Sequence, residues 1–178
     1  MLSFVLYVKG QPLIVDMGIS TYEKNDQRNL ERSTASHNTV VIDDKNQSDV
    51  WGGFRVGKRA DIKLVEDLPS ELTASHNGYY PVIHKRNFAF DENIMIINDN
   101  IIGDTHSTKA VFHFHPDEVI KQRIENTFLG KNFEISFQNC QKVILDEYQY
   151  PLGYNRYNQS NRLIVFFKDH LKTIITIR

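Results

Sequence analysis

The chain has 178 residues, enough for one domain with a sizeable core and too few for two ordinary ones. Its 21 lysines and arginines stand against 22 acids, a net charge of −1, so no broad electrostatic field recruits nucleic acid, and any anionic partner must be held by a local basic site. The lone cysteine, Cys140, has no partner for an internal disulfide and reads as core filler, no run approaches the ~20 apolar residues of a spanning helix, and residues 1–10 lack the basic and continuous apolar stretches of a signal peptide.

From the amino end, residues 3–8 and 13–16 read as a hairpin turning at Lys9-Gly10-Gln11. Residues 22–31 are polar and lack an apolar stripe, which suits either a helical turn or a structured loop. Strand patterns follow over residues 39–43, 59–65, 82–90, 94–98, 110–115, 133–137, 143–146, 163–167 and 173–177. Their spacing predicts an all-β fold: an antiparallel two-sheet β-sandwich of about a dozen strands, with long polar loops and under ~15% helix, forming one domain over residues 1–178. The two longest polar connections, residues 18–38 and 43–57, are where function is expected on such a scaffold.

Between Asp16 and Arg59 lies the densest group of chemically capable side chains. Asp16 ends an apolar run, where a carboxylate needs either a turn N–H to cap or a cation to meet. His37 opens the next strand and is either simply hydrogen bonded or a metal ligand beside that carboxylate. Trp51, followed by Gly52-Gly53-Phe54-Arg55, is either a core plug or a flat platform for a sugar whose anionic group Arg55 would take in a fork. His113 and His115 flank Phe114, an alternation that reads as the polar face of a half-buried strand and, less readily, as a metal pair. His76, His84, His106 and His170 read as structural or solvated. No GxSxG, Walker, HExxH or CxxC pattern is present, so serine hydrolysis, nucleotide hydrolysis and a structural zinc lack support.

The segment LSFVLYVKGQPLIVDMG, then Tyr22, then RSTASHNTVVIDDKNQSDVWGGFRVGKRA resembles the second domain of the heparinase II/III family and its alginate-lyase relatives. GYYPVIHKRNFAFD with Asp99, FHFHP at 112–116 and the closing LIVFFKDHLKTIITI agree with it. The resemblance implies an antiparallel sandwich that works beside an amino-terminal α/α toroid, in a parent enzyme that cleaves uronic-acid polysaccharides by β-elimination in the periplasm or outside the cell. It implies zinc in some members, held by a histidine of a GHAD-like segment and by the residues matching Asp16 and His37; the first of these ligands is expected just before Leu2, where this chain begins with Met1. Arg32, Asn38, Gln47, Trp51 and Arg55 are the candidates for substrate contact, and no residue of this chain is assigned as catalytic. With two candidate ligands, zinc is expected to be loosely held or absent.

Three roles follow from this reading. The chain is the sandwich portion of a lyase for heparin, heparan sulfate or alginate-like polymers, inactive without its toroid; or a non-catalytic module that binds acidic glycan; or a purely structural domain. The expected partners are an acidic polysaccharide, the toroid and a second copy in a two-fold dimer, with no nucleic acid and no membrane.

Overall fold

A computed structural model describes residues 1–178, of which 61% are strand and 5% helix. In chain order the elements are β1 (Leu6–Val8), β2 (Gln11–Ile14), helix α1 (Asp26–Glu31), a 3-10 turn (Thr34–Ser36), β3 (Val40–Ile42), β4 (Asp49–Trp51), β5 (Arg55–Gly57), β6 (Ile62–Leu68), β7 (Glu71–Tyr79), β8 (Val82–Asp91), β9 (Ile94–Ile102), β10 (Thr108–His113), β11 (Lys121–Ile124), β12 (Thr127–Leu129), β13 (Phe133–Gly153) and β14 (Arg156–Ile177). Every pairing is antiparallel.

Two layers arise because β13 and β14 are long and bent. The first half of β13 and the second half of β14 lie in a layer ordered β11-β12-β13-β14-β9-β8-β7-β6. Their other halves pair on with each other, and β10 and then β3 extend this second layer from β14. Bulges in β13 between Gln138 and Cys140 and between Cys140 and Lys142 mark the bend, as expected where a strand turns a corner. Phe112 of β10 and Phe114 just past it meet Phe137 and Phe133 of β13 at ring distances of 5.5 and 5.6 Å, so the second layer lies face to face on the first.

Alternation builds the core between them. Met95, Ile97 and Ile101 of β9 point inward while Ile94, Ile96 and Asn98 point out, and Leu163, Val165 and Phe167 of β14 face them from across the sandwich. One apolar cluster takes side chains from both layers, and each fully buried Leu, Ile or Phe in it contributes about 1.5–3 kcal/mol.

Three sequence expectations need correction. Residues 133–137 and 143–146 are one strand, as are 163–167 and 173–177, because the polar residues between them lie at bends and not at breaks. β7 was not legible: ELTASHNGY carries little apolar pattern, yet Thr73, His76 and Tyr79 are all buried. The histidine face of β10 is not half-buried at His113, which is as inaccessible as Phe112 and Phe114.

Candidate functional site

The strand β10 explains why Asp16 and His37 meet. The chain leading into β3 runs beside its start, with the Val111 N–H reaching the Thr39 carbonyl, while β2 runs beside its end, with the His115 N–H reaching the Leu13 carbonyl. Between the two segments the His113 N–H has no strand to pair with, and Asn38 fills the gap by accepting it on Oδ1 at 2.7 Å. The Asn38 amide donates in turn to the Phe4 and Val15 carbonyls at 2.9 and 3.0 Å. Asn38 is fully buried, and these bonds make it a brace for the loop with nothing left for a ligand.

That brace sets Asp16, just past β2, against His37, just before it. Asp16 Oδ2 lies 3.2 Å from His37 Nδ1, and Asp16 Oδ1 accepts the Ser3 hydroxyl at 3.0 Å. Burial acts to raise the Asp16 carboxyl, but the hydrogen bond and charge of His37, with Ser3 and the Asn38 backbone, outweigh it and leave the group below its ordinary value. An imidazole that gives Nδ1–H to a carboxylate has its Nε2 free as an acceptor.

The dyad lines an open pocket of about 410 Å³ whose walls include Arg32, Thr34 and Gln47. Arg32 is partly committed, donating to the Trp51 and Arg55 carbonyls at 3.3 and 2.9 Å. Gln47 is buried, and its side-chain oxygen has no hydrogen-bond partner. Its placement comes from Thr34, whose hydroxyl accepts the Gln47 N–H at 3.0 Å and whose own N–H goes to Asn46 at 2.8 Å. The two long loops are thus sewn together beside the pocket.

The first loop is ordered by polar burial. Asn25 caps α1 by accepting the Arg28 N–H at 2.9 Å, and the helix turns Arg28 and Glu31 inward. Glu31 accepts from the Ser20 N–H and hydroxyl, and the Arg28 guanidinium lies 5.5 Å from the ring centres of both Tyr22 and Phe54. Trp51 is 46% exposed, which removes the core-plug reading. Arg55 sits opposite it in the β4–β5 hairpin, exposed and some way from Asp16 in the chain; neither side chain lines the dyad pocket.

A second network went unread in the sequence. Arg86 is fully buried, donates through Nε and NH2 to Asp99 at 2.7 and 3.0 Å, and gives NH1 to the Leu2 and Asn38 carbonyls, each at 2.7 Å. The Gly78 N–H donates to His76 Nδ1, so His76 Nε2–H donates to His84 Nδ1 and His84 Nε2–H to Asp99, at 3.1, 3.1 and 2.7 Å. This chain of contacts locks the segment before Asp16 to the segment after His37. The only sequence signal for it was the polar residues His84 and Arg86 on the inward phase of a strand.

Over residues 1–177 the chain matches the family described as Heparinase II/III-like, C-terminal. The chain belongs to that family. No curated protein matches it in sequence. The heparinase II/III-like domain is similar in fold to heparinase III, the BT4657 gene product, with 20% identity and a TM-score of 0.80 over 98% of this chain and 29% of that one. It is also similar to the heparan sulfate lyase HepC of Pedobacter heparinus, at 18% identity and a TM-score of 0.69, over 98% of this chain and 30% of that one. At such identities the likeness shows the fold, and the domain spans under a third of the length of these proteins.

Zinc takes three or four ligands from protein. Asp16 and His37 supply two donors 3.2 Å apart, and no third His, Cys, Asp or Glu is grouped with them. His113, nearby on β10, is fully buried; burial, then the charge of Arg162, brings its imidazole down to about 3, and its ring is held between Asn38 and Tyr148.

Proposed function

We propose that this domain is the sandwich wall of the cleft in a polysaccharide lyase acting on a uronic-acid polymer of the heparin, heparan sulfate or alginate type. The observation that carries the reading is the Asp16–His37 dyad, an oriented imidazole in an open polar pocket beside Arg32 and the unpartnered Gln47 oxygen. β-Elimination removes the C5 proton, forms the C4–C5 double bond and breaks the C4–O bond, whose leaving oxygen gains a proton. It also needs the C5 carboxylate neutralised. Arg32 and Gln47 suit the binding of carboxylate and hydroxyl, and His37 Nε2 suits holding or passing one proton. With the Asp16 carboxyl held below its ordinary value by His37 and Ser3, the dyad offers one imidazole for proton transfer, and we assign the second proton-transfer group to a residue outside this domain. A helical toroid is the partner we assign to that role, in a parent located in the periplasm or secreted.

The parent protein, with and without His37→Ala, decides this. We expect the substitution to lower formation of unsaturated uronate product by about 10²-fold or more, and the isolated domain to form none. An unaffected parent, or a domain that turns over by itself, would overturn the reading. A non-catalytic glycan-binding role is the rival; it is favoured by the exposed Trp51 and separated from the first by the same assay.

A further inference from the structure

A second cavity, of about 520 Å³, is distinct from the dyad pocket. It lies on the other side of Val50, which lines both, and the successive residues Asn46 and Gln47 face one cavity each. Two aromatic side chains with solvent-exposed surface, Trp51 and Tyr80, stand in its wall at 46% and 75% exposure. Lys45 and Lys58 stand with them, and neither forms an ion pair. Arg55, opposite Trp51 in the hairpin, is also unpaired, although it does not line the cavity. Of the two carboxylates lining the cavity, Asp43 is committed to the His106 and Ser107 N–H groups at 2.9 and 3.0 Å, leaving Asp49 to accept from hydroxyls.

The Trp51 ring is positioned, not merely exposed. It lies across Gly57, where a Cβ would come within 3.0 Å of the ring edge, and its backbone carbonyl accepts from Arg32 of the dyad pocket. A flat ring held beside unpaired ammonium groups is what a sugar bearing carboxylate or sulfate requires: the apolar face of the sugar stacks while the anion meets the cations.

We propose that this cavity is a separate subsite for an anionic sugar residue, one that a glycan chain occupies while a neighbouring part of it passes the dyad pocket. The assignment rests on the reading of that pocket as one wall of a glycan cleft. Trp51 is the only tryptophan, so its emission reports the site directly. The test titrates this chain with a heparin hexasaccharide, its desulfated counterpart, which keeps only the carboxylates, and a neutral glucan of equal length. We expect a saturable change in Trp51 emission with both anionic sugars and none with the glucan. The change should weaken with added salt, and binding should fall about fivefold to tenfold in Lys45→Gln/Lys58→Gln, both exposed positions where loss of charge leaves the fold intact. Retention by the desulfated sugar assigns the contact to carboxylate, and loss of the change with that sugar would overturn a carboxylate-reading subsite.

Unchanged emission at saturating heparin sugar, equal binding of the glucan, or full affinity in the double variant would overturn the subsite. His37→Ala in this chain should leave the Trp51 signal in place. A subsite that binds while His37→Ala leaves the parent lyase untouched would sink the cleft reading alone, and the converse result would sink the subsite alone.

Discussion

At the scale of single residues the domain buries three histidines, two arginines and Asp99 alongside its apolar core. Burial takes His76 and His113 down to about 3 and lowers His84, while exposed imidazoles in the unfolded chain titrate near 6.5. The unfolded chain therefore takes up protons first, so the stability these histidines contribute is complete above about pH 6.5 and is lost as pH falls from there toward 3. Asp99 continues the trend: burial would raise it, but the Arg86 charge and the His84 hydrogen bond hold it at about 2, so its contribution disappears below roughly pH 4. We expect urea midpoints to decline below about pH 6.5, by up to about 1.4 kcal/mol per unit for each imidazole kept neutral; a flat profile between pH 7.5 and 5 would show the histidines to be solvated. Asp99→Asn leaves the buried Arg86 guanidinium without its carboxylate, and should cost about 3–5 kcal/mol in the same measurement.

Between elements, the site is assembled by ends of strands and not by their middles. β10 gathers the end of β2 and the approach to β3, and Asn38 closes the ladder between them. The end of β7 presses on the second loop in the same way, since a Cβ at Gly78 would meet the Gln47 carbonyl oxygen at 2.5 Å and Ala60 at 2.9 Å. Backbone cannot yield as a side-chain tip can. Gly78→Ala should therefore destabilise the domain by about 1–3 kcal/mol, and nuclear magnetic resonance should place the largest amide shifts at Gln47 and Thr34. Shifts confined to β7 would mean that the loop is not braced there.

For the whole molecule, the first layer ends at β6, an edge strand exposed along its full length, with Ile62, Leu64, Val65 and Leu68 all presented to solvent. A long apolar edge seeks a partner strand. We expect the isolated domain to associate, most simply as a two-fold dimer, and Leu64→Lys to shift it toward monomer in light scattering at high concentration. Equal mass for both proteins at every concentration would place the partner surface elsewhere.

What the sequence determined by itself was the class of fold and the dense run of polar side chains around Asp16 and His37, because alternation and turn chemistry are local properties of the chain. It also carried the family resemblance, since the runs around those residues are long and ordered. Only the tertiary structure decided that Asn38 is a brace, that Trp51 opens on its own cavity, and that Arg86, Asp99, His84 and His76 form one buried network. The reason is distance along the chain. Arg86 reaches the Leu2 carbonyl across 84 residues and His113 reaches Asn38 across 75, and no pattern within a single strand encodes which strands will lie side by side.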